Sequence, residues 1–320
     1  MTHWTTNDIP DQSNRRVVVT GATGGLGYET ALALAGANAD VILTGRNAAK
    51  GEDALTRIRA THPDALIRFD MLDLASLASI EAFAKNIERE DLPIDLLINN
   101  AGVMALPMRQ ITADGFEMQI GTNYLSHFAL TGRLLPLLVR SAQPRVVNVS
   151  SIAHRQGAID LDDLQRTRYR PWKAYSQSKL AMLMFAFELQ RRSDAAGWGL
   201  MSNAAHPGWA RTDLFANGPS AGNGRGLQQR MAELAATCFS HSAAAGALPT
   251  LYAATSPEAK PAMLYGPKGF NEFKGPPSSS KVAPQAKDEF VAARLWALSV
   301  ALTRVTFPAM RNGAQGKLAA

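Results

Sequence analysis

Six short aliphatic and β-branched runs, each followed by a stretch with helical spacing, most restrict what this chain can fold into. The runs cover residues 16–20, 41–44, 66–69, 94–98, 145–150 and 200–205. Helices are expected between them over 25–37, 48–60, 76–89, 114–139 and 172–192, the fourth with Pro136 near its end. Strands of this length that alternate with helices build βαβ units, and the parallel sheet they form needs cover on both faces. The pattern predicts an α/β fold, a doubly wound parallel sheet in three αβα layers.

No composition shift marks a domain boundary, so one domain over 1–320 is expected. A Gly/Ser/Asn-rich stretch at 217–226 predicts a lid-like loop over about 213–226. A helix over 227–255, a last strand at 262–265, an irregular segment over 266–285 and an amphipathic helix over 286–303 should follow, the part from 266 to 320 forming a C-terminal extension. The first ~15 residues are polar and should be loose.

Charge and cysteine usage narrow the function classes. The formal net charge is +6, with the positive residues dispersed apart from a patch between Arg166 and Lys173. No basic stripe is interleaved with aromatics, which argues against nucleic acid, whereas a moderate excess suits an anionic ligand or loose attraction to an acidic surface equally well. Cys238 is the single cysteine, so neither an intrachain disulfide nor a Cys-based metal site can form. No metal is expected. Neither an apolar leader in 1–16 nor a run approaching the ~20 apolar residues of a membrane span is present, and a cytoplasmic protein is expected.

Between the first strand and the first helix lies Thr20-Gly21-Ala22-Thr23-Gly24-Gly25-Leu26-Gly27. Glycines at such a turn let the backbone approach a pyrophosphate seated on the helix N-terminus, as in Rossmann-type dinucleotide folds. The spacing is Gly21, Gly25, Gly27 rather than GxGxxG. After the second strand, where NAD-binding folds place a carboxylate on the ribose diol, this chain has Arg46-Asn47. A guanidinium there receives a 2′-phosphate, so NADP(H) is favoured over NAD(H).

Tyr175 and Lys179 are four apart and share a helix face. An ammonium beside a phenol lowers its pKa from ~10 and makes the tyrosine a usable acid/base. At the end of the fifth strand Ser150 and Ser151 compete for the role of a second catalytic group, since strand alternation sends them to opposite faces.

In order along the chain, Thr20-Gly-x-x-x-Gly-x-Gly27, Asn99-Asn100-Ala101-Gly102, Asn123, the serine pair, Tyr175-x-x-x-Lys179 and Pro207-Gly208 resemble the short-chain dehydrogenase/reductase family. The resemblance spans roughly 15–265. It is nearest to retinol-dehydrogenase-like members, including the WW-domain oxidoreductase group, through Arg145 to His154, Ala174 to Ala181 and His206-Pro207-Gly208.

That resemblance implies an alcohol dehydrogenase or carbonyl reductase in which Tyr175 is the acid/base, Lys179 binds the nicotinamide ribose, and Ser151 holds the substrate oxygen. Ser150 is then structural. Asn123 interrupts its helix and serves a proton relay. The cofactor would be held by Gly21, Thr23, Gly24, Gly25, Leu26, Gly27, Arg46, Asn47, Asp73, Leu74, Asn100, Ala101, Gly102, Tyr175, Lys179, Pro207, Gly208 and Thr212. Met104, Trp209 and Leu214 are candidates for the substrate wall or equally for core packing, and His154 for the substrate wall or a structural role. Rival readings are a C=C reductase or epimerase on the same scaffold and a non-catalytic NADP(H) sensor.

Ser151 and Tyr175 are 24 positions apart, about twice the gap of many short members. The excursion at 152–171 is therefore expected near the mouth of the site, shaping the choice of a small-molecule carbonyl or alcohol. The helix after Tyr175 is apolar nearly all round, which implies burial on several sides: in a homodimer or homotetramer, or beneath the excursion in a monomer.

Overall fold

A computed structural model describes residues 3–209 and 242–308. The loop expected over 213–226, Thr212, Leu214, Cys238 and the first half of the 227–255 helix lie outside them. Among the described residues, eight strands form one sheet in the order β3-β2-β1-β4-β5-β6-β7-β8. They are β1 (Arg16–Val19), β2 (Asp40–Gly45), β3 (Ile67–Met71), β4 (Leu96–Asn99), β5 (Arg145–Val149), β6 (Met201–Ala205), β7 (Leu264–Pro267) and β8 (Pro277–Ser279). The pairings from β3 through β7 are parallel and β8 is antiparallel to β7. The central strands are buried on both faces, which is why they read as unbroken apolar runs.

The order reverses between β1 and β4, and at such a switch point a crevice opens at the carboxyl ends of the strands. The helices leading away from it are α1 (Gly25–Gly36), α2 (Ala48–Thr61) and α3 (Leu77–Arg89). Asn47 caps α2 through Lys50 N–H, and Ser76 caps α3 through Ser79 N–H. After β5 the chain reaches α6 (Pro171–Ala196), which Pro171 opens and Gly197, in the left-handed region, ends.

The single helix expected over 114–139 is instead three pieces. A short α4 (Met118–Ile120) follows an isolated bridge between Ile111 and Glu117. A π-helical turn (Gly121–Leu125) carries Asn123, and α5 (Ser126–Leu138) continues beyond it. Buried Glu117 replaces the missing earlier turns by accepting Gln119 and Ile120 N–H.

Two further expectations are corrected. The segment before β1 is anchored rather than loose: Thr5 and Asp8 form a capping box, Gln12 is buried, and Trp4 meets Tyr252 edge-on at 5.4 Å. The segment over 266–285 contains β8, which its prolines and serines concealed. Farther along, α7 (Ala243–Thr255) packs on α1, and α8 (Glu289–Thr303) lies across α5 and α6. Trp296 of α8, with Phe307 beyond it, closes over Phe128 and Phe185. The apolar α5–α6 face is thus covered from within the chain. Among the described residues no helix is long and apolar enough to cross a membrane.

Candidate active site

The turn after β1 is built by steric necessity. Gly21 has φ 65°, and a Cβ there would lie 2.8 Å from Ala101 Cβ. At Gly27 a Cβ would fall 2.4 Å from the Gly21 carbonyl and 2.5 Å from Asn100 Nδ2. The Asn100 amide donates to the Thr20 carbonyl at 2.8 Å, tying the loop after β4 to the turn. Gly27→Ala should therefore cost about 1–3 kcal/mol through overpacking, read as a lower urea midpoint at unchanged slope; an unshifted midpoint would contradict this packing.

The N-cap of α1 is Gly24, which supplies no side-chain acceptor. Its first N–H groups thus face the crevice without a capping side chain, an arrangement that suits a pyrophosphate. Thr23 packs its methyl against Gly45, so the turn reaches the end of β2 where exposed Arg46 follows. These residues fit a dinucleotide.

A cavity of roughly 440 Å³ lies at the carboxyl ends of β1, β4, β5 and β6. Leu26, Asn100, Gly102, Ser151, Tyr175, Lys179, Pro207 and Gly208 meet on its wall, as do Met104 and Trp209. Asp73 and Leu74, after β3, lie outside it. Asp73 accepts Ala75 N–H, and the Leu74 side chain is in the core. His154 is not on the wall. Its ring is buried, with Nδ1 2.6 Å from the Ser151 carbonyl and Nε2 accepting Ala283 N–H, which overturns its expected place on the substrate wall.

Ser150 and Ser151 both line the cavity and differ in what their hydroxyls bond. Ser150 Oγ donates inward to the Lys179 carbonyl at 2.8 Å. Ser151 Oγ accepts Ala153 N–H at 3.2 Å. Lys179 Nζ donates to the Val149 carbonyl at 2.9 Å and is 6.0 Å from the Tyr175 ring centroid.

The expected depression of the phenol by Lys179 is reversed here. Burial pushes Tyr175 above its ordinary value, opposed by the nearby Ser151 hydroxyl, and burial brings Lys179 down to about 8. Desolvation acts against both charged forms and outweighs their mutual attraction at this distance.

Asn123 is fully buried. Its Oδ1 accepts Val103 N–H at 2.7 Å, and its Nδ2 donates to the Val103 carbonyl and to Ser178 Oγ. Its carbonyl faces His127 Nδ1 at 3.0 Å, while His127 Nε2 lies 2.9 Å from Thr20 Oγ1. Thr20 Oγ1 also accepts the N–H groups of Asn100 and Ala101. Buried His127, brought down to about 4 by desolvation, therefore joins the π-turn to the glycine turn as a neutral ring. Sequence reasoning missed it, since its spacing to Asn123 is that of any helical neighbour.

The excursion also differs from expectation. Only its first residues, 152–156, reach the cavity, where Arg155 and Gln156 join the wall. The stretch beyond packs on α6 and α4: Asp160 N–H and the Leu164 carbonyl bond Gln177, and Gln119 Nε2 donates to Tyr169 OH, which donates in turn to the Leu106 carbonyl. Trp172, Asn271 and Phe273 complete the wall and were likewise missed.

A family profile described as short chain dehydrogenase matches residues 15–222. The chain belongs to this family. Retinol dehydrogenase 13 of Homo sapiens is 42% identical over 301 residues, 93% of this chain and 87% of its own length. Polyprenol dehydrogenase of Mus musculus is 39% identical over 300 residues, covering 92% and 85%. Among solved structures, an uncharacterised protein of Mycobacterium paratuberculosis superposes with a TM-score of 0.79 at 42% identity, covering 96% of this chain and all (100%) of its own. A short-chain dehydrogenase of Shigella flexneri crystallised with NADP shares the fold at TM-score 0.61 and 24% identity, covering 80% and 98%. With relatives named as dehydrogenases, this short-chain family member is an oxidoreductase of the alcohol-dehydrogenase type, in a family that binds NAD(P).

Proposed function

We propose that the protein interconverts a bulky apolar alcohol and its ketone or aldehyde with NADP(H). The convergence of Ser151, Tyr175 and Lys179 on one cavity wall with Leu26, Asn100 and Pro207 carries this reading. Bound NADP(H) would supply or accept the hydride. Gly21, Gly24, Gly25, Leu26 and Gly27 would seat its pyrophosphate, Asn100, Ala101 and Gly102 would pass along it, and Arg46 would receive the 2′-phosphate. Asn47, Asp73 and Leu74 would lie toward its adenosine end.

Tyr175 donates the proton to the carbonyl oxygen in reduction and takes it back in oxidation. Ser151 Oγ already accepts Ala153 N–H, so its own proton is left for the substrate oxygen or the phenol. Lys179, fixed on the Val149 carbonyl, keeps a cation beside the pair. Asn123 holds the loop at Val103 and Ser178 in register with it. Met104, Trp172, Trp209 and Phe273 give the cavity its apolar walls, and the apolar alcohols named in the retinol and polyprenol dehydrogenases support the same substrate class.

Consumption of NADPH with a panel of isoprenoid and aryl aldehydes, with the product identified, tests the reading. An alcohol product is expected, and a saturated carbonyl would instead mean C=C reduction. Arg46→Asp should raise KM for NADPH at least about tenfold, from loss of a charge-assisted phosphate contact, while leaving NADH nearly unchanged. Equal effects on the two nucleotides would remove the role given to Arg46.

A further inference from the structure

The connection between β7 and β8 holds two consecutive non-glycine residues in the left-handed region, Asn271 at φ 49° and Glu272 at φ 60°. Such a pair persists only where its surroundings over-determine it. Here the fixing contacts converge on one carboxylate. Glu272 Oε2 accepts from Arg155 at 2.5 Å and faces His206 Nε2 at 3.0 Å, and Oε1 accepts Lys281 N–H at 3.0 Å.

Gly208 N–H donates to His206 Nδ1 at 3.1 Å, so the ring carries its proton on Nε2 and offers it to Glu272 or to Ser280 Oγ at 2.9 Å. Trp209 N–H adds a bond to the Phe273 carbonyl at 2.9 Å. The segment after β6 and the β7–β8 connection are thereby locked together. On either side of Glu272, which is itself off the cavity wall, Asn271 and Phe273 line the cavity, and Phe273 meets Trp209 edge-on at 5.6 Å.

We propose that Glu272 is a positioning residue for substrate selection: its clamp on Arg155 and His206 sets the Phe273–Trp209 wall, which favours long or flat apolar substrates over short ones. The selection role rests on the alcohol–carbonyl reading above, whereas the clamp does not.

Three variants, Glu272→Gln, Glu272→Asp and Glu272→Ala, test it. Each is assayed with NADPH against farnesal, a long isoprenoid aldehyde, and butanal, a short one. Glu272→Gln keeps an acceptor but loses the charge facing Arg155. Its KM for farnesal should rise about tenfold with kcat held within about twofold, and butanal kinetics should change by less than about twofold. Glu272→Asp should recover part of the farnesal KM. Independently of activity, amide hydrogen exchange at 206–209 and 268–281 should quicken in Glu272→Ala, or in Glu272→Gln if the alanine variant does not fold.

Unchanged exchange overturns the clamp. An equal loss for both aldehydes, or a fall in kcat alone, overturns the selection role. A wild type that turns over neither aldehyde overturns that role together with the proposed function, while exchange still decides whether the clamp exists.

Discussion

Tyr175→Phe is expected to lower kcat/KM for carbonyl reduction by about 10³-fold, ~4 kcal/mol of transition-state stabilisation, with nucleotide affinity held within about twofold. The substitution removes one oxygen from a side chain only 6% exposed, and the ring keeps its edge contact with Trp172 at 6.0 Å. Packing is therefore preserved, and the proton donor is what disappears. Steady-state assays, with a fluorescence titration of NADPH for binding, separate the two effects. Full activity in the variant would end the mechanism.

The same tyrosine sets a pH dependence in opposite senses for the two directions. Burial raises the phenol, so in the structure described it is protonated at neutral pH, the form that donates in reduction. Reduction should then be flat through neutrality and fall at alkaline pH as the phenol titrates. Oxidation needs the phenolate and should rise over that range. Lys179, at about 8, titrates nearby, so the profiles report apparent values of the coupled pair. Parallel profiles in both directions would show that another group moves the proton.

Much of the fold was legible because buried parallel strands write themselves as apolar runs and the helices between them are capped by Asn47, Ser76 and Gly197. The β8 strand was not, since Pro277-Ser278-Ser279 joins the sheet at its edge, by pairing rather than by burial pattern. The site divides the same way. Gly21, Gly27, Tyr175 and Lys179 stand at spacings set by local geometry, whereas Ser151 is singled out from Ser150 by the family resemblance. Glu272 and His127 act through partners far along the chain, Arg155 and Thr20, and no local pattern announces such a pair. His154 misled because nearness to Ser151 in sequence says nothing of which way a ring turns after a strand end.

The α8 cover explains how an apolar helix such as α6 is accommodated, and Trp296→Ala should expose its energetic weight. Trp296 is 5% exposed. Its ring lies 4.9 Å from Phe128, 4.4 Å from Phe307 and 4.2 Å from the Arg192 guanidinium. Truncation leaves a cavity between helices that already make their own hydrogen bonds and cannot collapse onto it. A loss of about 3–5 kcal/mol is expected, as for large aromatics in cores. Phe290 stands on the same helix but is 72% exposed, so Phe290→Ala should change stability by less than about 0.5 kcal/mol. Urea unfolding of both variants distinguishes a helix held by one buried face from one held by its propensity. If α8 were loosely attached, the two variants would unfold at the same denaturant concentration as the wild type. If the cover is as tight as the aromatic contacts imply, only Trp296→Ala shifts, and the α5–α6 face it uncovers should make that variant self-associate in sedimentation below its unfolding transition.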